Sequence, residues 1–298
     1  MDVIVSGSHG FIGSALVPAL EAAGHRARRL VRGTAGQGEV AWDPDAGTID
    51  TAALEGTDGV VHLGGVGIGD KRWTPEQKER IRQSRVKGTT VLATALAGLS
   101  TRPRVLVSGS AVGYYGDRGD EVLTEASSAG DGFLADVVRA WEDATGTAAD
   151  AGIRVVKLRA GVVQSPAGGA LKKQLPLFKL GVGGPLGTGR QWVSWITLED
   201  EISAILHVLG DDSLSGPVNA TSPEPVTSAV LARALGKAVH RPSFLPVPKA
   251  ALGLVVGRQM AYEMVTASQR VIPAKLLEAG FTFRHPEVEA AMAALLQR

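Results

Sequence analysis

The chain has 298 residues, enough to bury a large core and to divide into two unequal lobes. Its 31 Lys+Arg against 30 Asp+Glu leave a net charge of +1, which removes the electrostatic case for a dedicated nucleic-acid binder. With no cysteine, disulfides, thiolate metal sites, Fe–S clusters and Cys nucleophiles are excluded.

The sequence opens directly on Asp2-Val3-Ile4-Val5, without a basic leader. Apolar runs such as Ala250 to Val256 fall short of the ~18–20 residues that span a bilayer. A cytoplasmic protein is expected, with neither nucleic acid nor membrane as partner. Short β-branched runs at Val3–Val5, Ala27–Val31, Val60–Leu63, Val105–Val107 and Val155–Leu158 alternate with helical stretches around 14–23, 80–99 and 134–151. Such alternation predicts α/β, a doubly wound parallel sheet whose strands read as apolar runs because helices cover both faces. Pro18 falls inside the first helix and should kink it.

Beyond Leu158, residues 165–169 and 181–189 are too rich in Gly and Pro for regular elements and read as loops over a pocket. Thr197 is placed to cap a helix over 198–209, followed by a strand at Pro217–Asn219 and a helix over 226–238. Three helical segments near 248–256, 259–269 and 287–297 end the chain. The expected organisation is a dinucleotide-binding domain over 1–165, to which 197–230 returns, and a smaller, mostly helical substrate lobe made of 166–196 and 231–298. The terminal helices are too small to form their own core, so they should close the pocket beneath the 181–195 loop.

Gly7, Gly10 and Gly13 follow the first strand and open the first helix, where helix N-terminal amides meet a pyrophosphate. Gly7 permits the tight turn, Gly10 the approach of phosphate, and Gly13 close helix–strand packing. His9, inside this loop, is the one histidine near enough to phosphate to matter. At the end of the second strand an acid would bind a ribose 2′-hydroxyl and an arginine a 2′-phosphate. Leu30-Val31-Arg32-Gly33-Thr34 offers Arg32 and no acid, which favours NADP; the alternative is that Arg32 is one more solvated cation after Arg26, Arg28 and Arg29.

These residues resemble the extended short-chain dehydrogenase/reductases, also called the NAD-dependent epimerase/dehydratase family. The resemblance rests on Gly7-x-x-Gly10-Phe11-Ile12-Gly13, His62-Leu63-Gly64-Gly65, Ser108-Gly109-Ser110-Ala111-Val112-Gly113-Tyr114-Tyr115-Gly116 and Leu158-Arg159-Ala160-Gly161-Val162-Val163. Ala267-Ser268-Gln269-Arg270-Val271-Ile272-Pro273-Ala274-Lys275 and the helical tail resemble a poorly characterised, epimerase-like branch with its own C-terminal domain of unknown function. The resemblance implies a Rossmann-like fold, cofactor contacts from Phe11, Ile12, Leu63, Gly64, Gly65, Gly161 and Val162, and a substrate-orienting role for Ser110. Arg85, on the helix after the Val60–Leu63 strand, is a further candidate for a cofactor phosphate, against a solvated-face reading.

The larger family uses a Tyr-x-x-x-Lys pair, one helical turn apart, as acid/base. Here the residues four beyond Tyr114, Tyr115 and Tyr262 are Arg118, Gly119 and Thr266, so the pair is absent. Matching Glu142 to the family's acid puts Leu134 where the tyrosine belongs and Val138 where the lysine belongs. Ser110, Tyr114 and Tyr115 remain as candidate catalytic residues, and no histidine spacing suits a metal. Two readings stand: an NADP-dependent oxidoreductase or epimerase-like enzyme acting on a small-molecule substrate, or a non-catalytic NADP(H)-binding sensor. A homodimer is one expected assembly.

Overall fold

The computed structural model describes residues 1–297. The eight strands of the main sheet are β1 (Asp2–Ser6), β2 (Arg26–Arg32), β3 (Glu39–Asp43), β4 (Thr48–Ile49), β5 (Gly59–His62), β6 (Val105–Ala111), β7 (Arg154–Ala160) and β8 (Gly216–Ala220). Their order is β8-β7-β6-β5-β1-β2-β3-β4, parallel throughout except for the β3–β4 edge pair. The chain therefore leaves β1 toward β2 and returns on its other side at β5. That reversal opens a crevice at the carboxyl ends of β1 and β5, where ligands of such sheets bind.

Alternation along the strands builds two cores. In β1, Val3 and Val5 join Leu16, Leu20, Ile205 and Val208 on one face, while Ile4 joins Val60, Leu92 and Leu96 on the other. The first face is covered by α1 (Gly13–Ala22) and the second by α2 (Pro75–Ala97). Helix α1 runs through Pro18 as one element. The start of α2 is fixed by Thr74, whose side chain accepts from Gln77 N, with Pro75 at the first helical position. Helix α3 (Phe133–Asp143) follows β6, and α4 (Gly169–Lys179) lies between the two glycine-rich loops.

Thr197 caps α5 (Leu198–Gly210) by accepting from Asp200 N at 3.1 Å, as its position predicts. A third core joins Leu171 and Phe178 of α4 to Leu235 of α6 (Ser228–Ala238) and to Val288 and Met292 of a terminal helix, Val288–Leu296. The C-terminal helices thus pack into the body of the protein. Residues 185–187 pair with Val247, Gly187 N donating to Val247 O at 2.9 Å and Val247 N to Pro185 O at 2.8 Å. The helix expected over 259–269 is shorter: an α-turn at Arg258–Ala261 widens into a π-turn at Tyr262–Thr266, and the chain is irregular before the Arg270–Val271 strand.

Candidate functional site

A cleft of about 750 Å³ lies over the carboxyl ends of β1, β2 and β5. Its floor is the turn after β1. Gly7 has φ +65°, and a Cβ there would stand 2.8 Å from the Leu63 carbonyl carbon, so this turn admits only glycine. A Cβ on Gly13 would overlap the Gly7 carbonyl, which is why the helix can start this close to the strand. Gly10 N donates to Gly7 O at 2.8 Å and closes the turn.

Of the residues expected at a cofactor, the cleft gathers Gly7, His9, Gly10, Arg32, Leu63, Gly64 and Gly65. Arg32 is exposed on its wall, at the end of β2, and Arg80 and Lys87 reach the same cleft from α2. With Gln83 and Ser84 they form a stripe at positions i, i+3, i+4 and i+7, a periodicity visible in the sequence but overlooked in favour of Arg85. Asp45 is the one carboxylate among the residues lining the cleft.

The other candidates support the cleft from outside it. The Phe11 ring covers Gly168 and Gly169, where a Cβ on Gly168 would overlap it, and Ile12 packs on the core. Arg85 lies beneath the loop after β5: its Nη1 donates to Val66 O at 2.9 Å and to Ile81 O at 3.2 Å, and its guanidinium sits 5.0 Å from the Trp141 ring. Burial lowers its pKa to about 10, still charged at neutral pH. Gly161 and Val162 follow β7 and join the Ser194 strand segment, Val162 N donating to Ser194 O at 2.8 Å. His62 is fully buried with Nδ1 2.6 Å from Ser6 Oγ; burial pushes it down to about 4, so it is neutral.

Ser110, Tyr114 and Tyr115 come together in a second, buried constellation. Ser110 Oγ donates to Glu142 Oε1 at 2.6 Å, and Arg159 grips both oxygens of that carboxylate. Arg159 Nη1 donates to the Tyr115 hydroxyl at 3.0 Å, and that hydroxyl donates to Asn219 Oδ1 at 2.7 Å. The Tyr114 ring lies 3.4 Å from the guanidinium carbon. Burial works against the Arg159 charge, but its bonds to Glu142 outweigh that and raise its pKa. Burial likewise raises the Tyr115 pKa, the opposite of what a general base needs. Tyr114 and Tyr115 are packed edge to face, 5.3 Å apart. Asn219 and Glu142 complete this network, and of the two only Glu142 had a sequence signal.

Leu134 and Val138 lie one turn apart on α3, facing the backbone at Gly113, where a Cβ would meet their side chains at 3.5 and 3.9 Å. Beside them a smaller cavity of about 310 Å³ opens between the loop after β6 and residues 262–269. Glu263 closes one side by accepting the Leu134 N–H at 2.8 Å, which caps α3, while Tyr262 donates to Asp117 at 3.0 Å. Other arginines and tryptophans lie around this side of the protein. Arg270 stacks on Trp192 at 4.3 Å; Trp195 is fully buried; and Arg72 donates to the carbonyls of Leu254 and Val255. Among the described residues no His/Cys/Asp/Glu group could hold a metal ion.

The sheet order, the crevice and the glycine turn define a doubly wound, Rossmann-like α/β protein. The chain belongs to the NAD dependent epimerase/dehydratase family, whose model matches residues 3–220; a model of a domain of unknown function matches residues 247–295. An epimerase family protein of Mycobacterium bovis is 46% identical over 293 residues, covering 97% of this chain and 96% of that protein. The crystal structure of human epimerase family protein SDR39U1 (isoform2) with NADPH superposes with a TM-score of 0.93 at 33% identity, each chain fully covered. A nucleoside-diphosphate sugar epimerase from Corynebacterium glutamicum gives a TM-score of 0.81 at 39% identity, covering 99% of this chain and 58% of that one.

Proposed function

We propose that this protein binds NADP(H) in the cleft above β1, β2 and β5 and acts as an oxidoreductase or epimerase-like enzyme on a small molecule. The observation that carries the reading is Arg32 on the cleft wall with Arg80 and Lys87 facing the same volume: three cations beside a phosphate-cradling turn suit a 2′-phosphate. The human relative crystallised with NADPH supports it. The residues fit the group, since the turn has no room for any Cβ at Gly7 and the cleft is large enough for a dinucleotide half. When bound, the nicotinamide supplies hydride chemistry.

The chain's own residues then hold the 2′-phosphate at Arg32, receive pyrophosphate at the amides after Gly7, and orient the substrate at Ser110. Because the Ser110 proton is committed to Glu142, the serine meets the substrate as an acceptor, through its free lone pair. Residues 1–165 with 197–230 serve as the dinucleotide-binding domain and the remainder as the substrate lobe. Turnover with NADPH across a panel of carbonyl and enone compounds, lost in Ser110→Ala, is the expected result.

A second reading, a non-catalytic NADP(H)-binding sensor, is favoured by one observation: the α3 face toward Gly113 presents Leu134 and Val138, which move no proton. It gains if NADPH raises the melting temperature while no member of the panel is turned over.

A further inference from the structure

Two long segments of the sequence contain no Asp or Glu. Residues 166–198 carry Lys172, Lys173, Lys179 and Arg190, and residues 225–262 carry Arg233, Lys237, Arg241, Lys249 and Arg258. All of these cations are exposed. In a chain whose total charge is +1, these nine cations with no acid in either segment leave both segments strongly positive.

The fold brings the two segments together. Arg241 Nε donates to Lys179 O at 3.1 Å, Pro242 lies against Gly181, and residues 185–187 pair with Val247. Two of the cations pair with carboxylates from other elements, Lys173 with Asp70 and Lys237 with Glu289, both at the surface. The remaining cations have no salt bridge among the described residues.

The same two segments hold the most exposed apolar side chains. Leu180, Phe244, Leu254 and Val255 are 75%, 74%, 78% and 71% accessible, with Leu177 and Val182 close to half. Helix α7 (Lys249–Val256) buries none of its residues, although six of its eight are Ala, Leu or Val. Side chains this accessible project outward rather than line a groove. They include no Trp, and Tyr262 at their margin is engaged by Asp117, so free Trp and Tyr anchors typical of protein hot spots are missing.

From this combination we propose that the surface formed by α4, the 180–182 turn, residues 241–245 and α7 seats the protein peripherally on an anionic lipid bilayer. The projecting Leu, Val and Phe side chains enter the headgroup–acyl boundary while the surrounding Lys and Arg neutralise lipid charge. This is surface contact, distinct from crossing: no helix among the described residues is long and apolar enough to span a membrane. A second copy of the chain on this face would bring like charges together and is disfavoured by the same electrostatics. The cofactor cleft is built from other elements, so the proposal stands apart from the NADP(H) reading.

Co-sedimentation of the full chain with vesicles tests it. Binding is expected to vesicles of equal parts phosphatidylglycerol and phosphatidylcholine, and not to phosphatidylcholine alone. It should collapse in 1 M salt, where the screening length is ~3 Å. The combined Lys172→Glu, Lys173→Glu, Lys179→Glu variant should lose more than about tenfold in partitioning, and Phe244→Ser with Leu254→Ser should lose as much. Circular dichroism and the melting shift with NADPH verify that each variant is folded. No partitioning into anionic vesicles, equal partitioning into neutral ones, or wild-type partitioning of both folded variants overturns the proposal; the first would leave an acidic protein as the occupant. A concentration-dependent dimer abolished by Phe244→Ser with Leu254→Ser would also overturn it, in favour of a second copy.

Discussion

Arg159 holds Glu142 by two parallel contacts, Nε to Oε1 at 2.7 Å and Nη2 to Oε2 at 2.9 Å, with both side chains buried. Ser110 and Tyr115 each bond to one member of this pair, so the geometry of the candidate substrate side depends on it. Removing one partner strands the other charge without water. Glu142→Ala should therefore cost about 3–5 kcal/mol of stability, and Glu142→Gln clearly less because the amide oxygen still accepts from Arg159. Denaturant melts of both variants check this; equal losses would mean that the pair's charge is unimportant.

Glu201 gives the stability a pH dependence. It is 1% exposed, its Oε2 has no hydrogen-bond partner among the described residues, and burial raises its pKa from 4.5 to about 8. Between these values the folded chain holds a proton that the unfolded chain has released, so stability falls as pH rises from 4.5 toward 8 and levels off above. Glu201→Gln should be neutral at pH 4 and stabilising by about 2–4 kcal/mol at pH 9. Melts of both proteins across this range that run parallel would refute it.

The glycine turn can be separated into strain and collision. Gly24 has φ +81° with open space around it, whereas Gly7 has φ +65° with the Leu63 backbone in the way. Gly24→Ala should cost about 1 kcal/mol and Gly7→Ala about 2–5 kcal/mol with loss of NADPH binding. Thermal melts with and without NADPH distinguish the two; equal costs would show that the approach to Leu63 does not restrict the turn.

The sheet was legible because parallel strands buried on both faces leave apolar runs, and Val3-Ile4-Val5 and Val105-Leu106-Val107 are such runs. Strands β3 and β4 were not, since β4 at the sheet edge has only two residues and β3 offers just Val40-Ala41-Trp42 between two acids. The turn after β1 and Arg32 could be read because spacing alone sets them. The Glu142–Arg159–Tyr115–Asn219 network could not, since it joins four separate elements whose meeting depends on tertiary packing. Helix α7 read correctly as a helix, but its lack of any buried face was invisible in the apolar run of Ala250 to Val256.

No tyrosine of this sequence has a lysine four residues on. Leu134→Tyr with Val138→Lys would place a hydroxyl and an ammonium one turn apart, facing Gly113. Val138 is 4% exposed, so the lysine should cost stability and carry a lowered pKa. The double variant is expected to melt lower, yet to show more hydride transfer to simple carbonyls than the natural protein. Steady-state assays with NADPH check this; no gain in a folded variant would argue that this helix face does not meet the nicotinamide.

Selection of a 2′-phosphate by Arg32 at the cleft is tested most directly by fluorescence titration of NADPH and NADH against the natural protein and Arg32→Ala. The natural protein should bind NADPH more tightly. Arg32→Ala should weaken NADPH by about 1.5–3 kcal/mol, the scale of one charge-assisted contact, and leave NADH nearly unchanged. Equal affinities for the two cofactors, or an equal loss for both on mutation, would contradict the account.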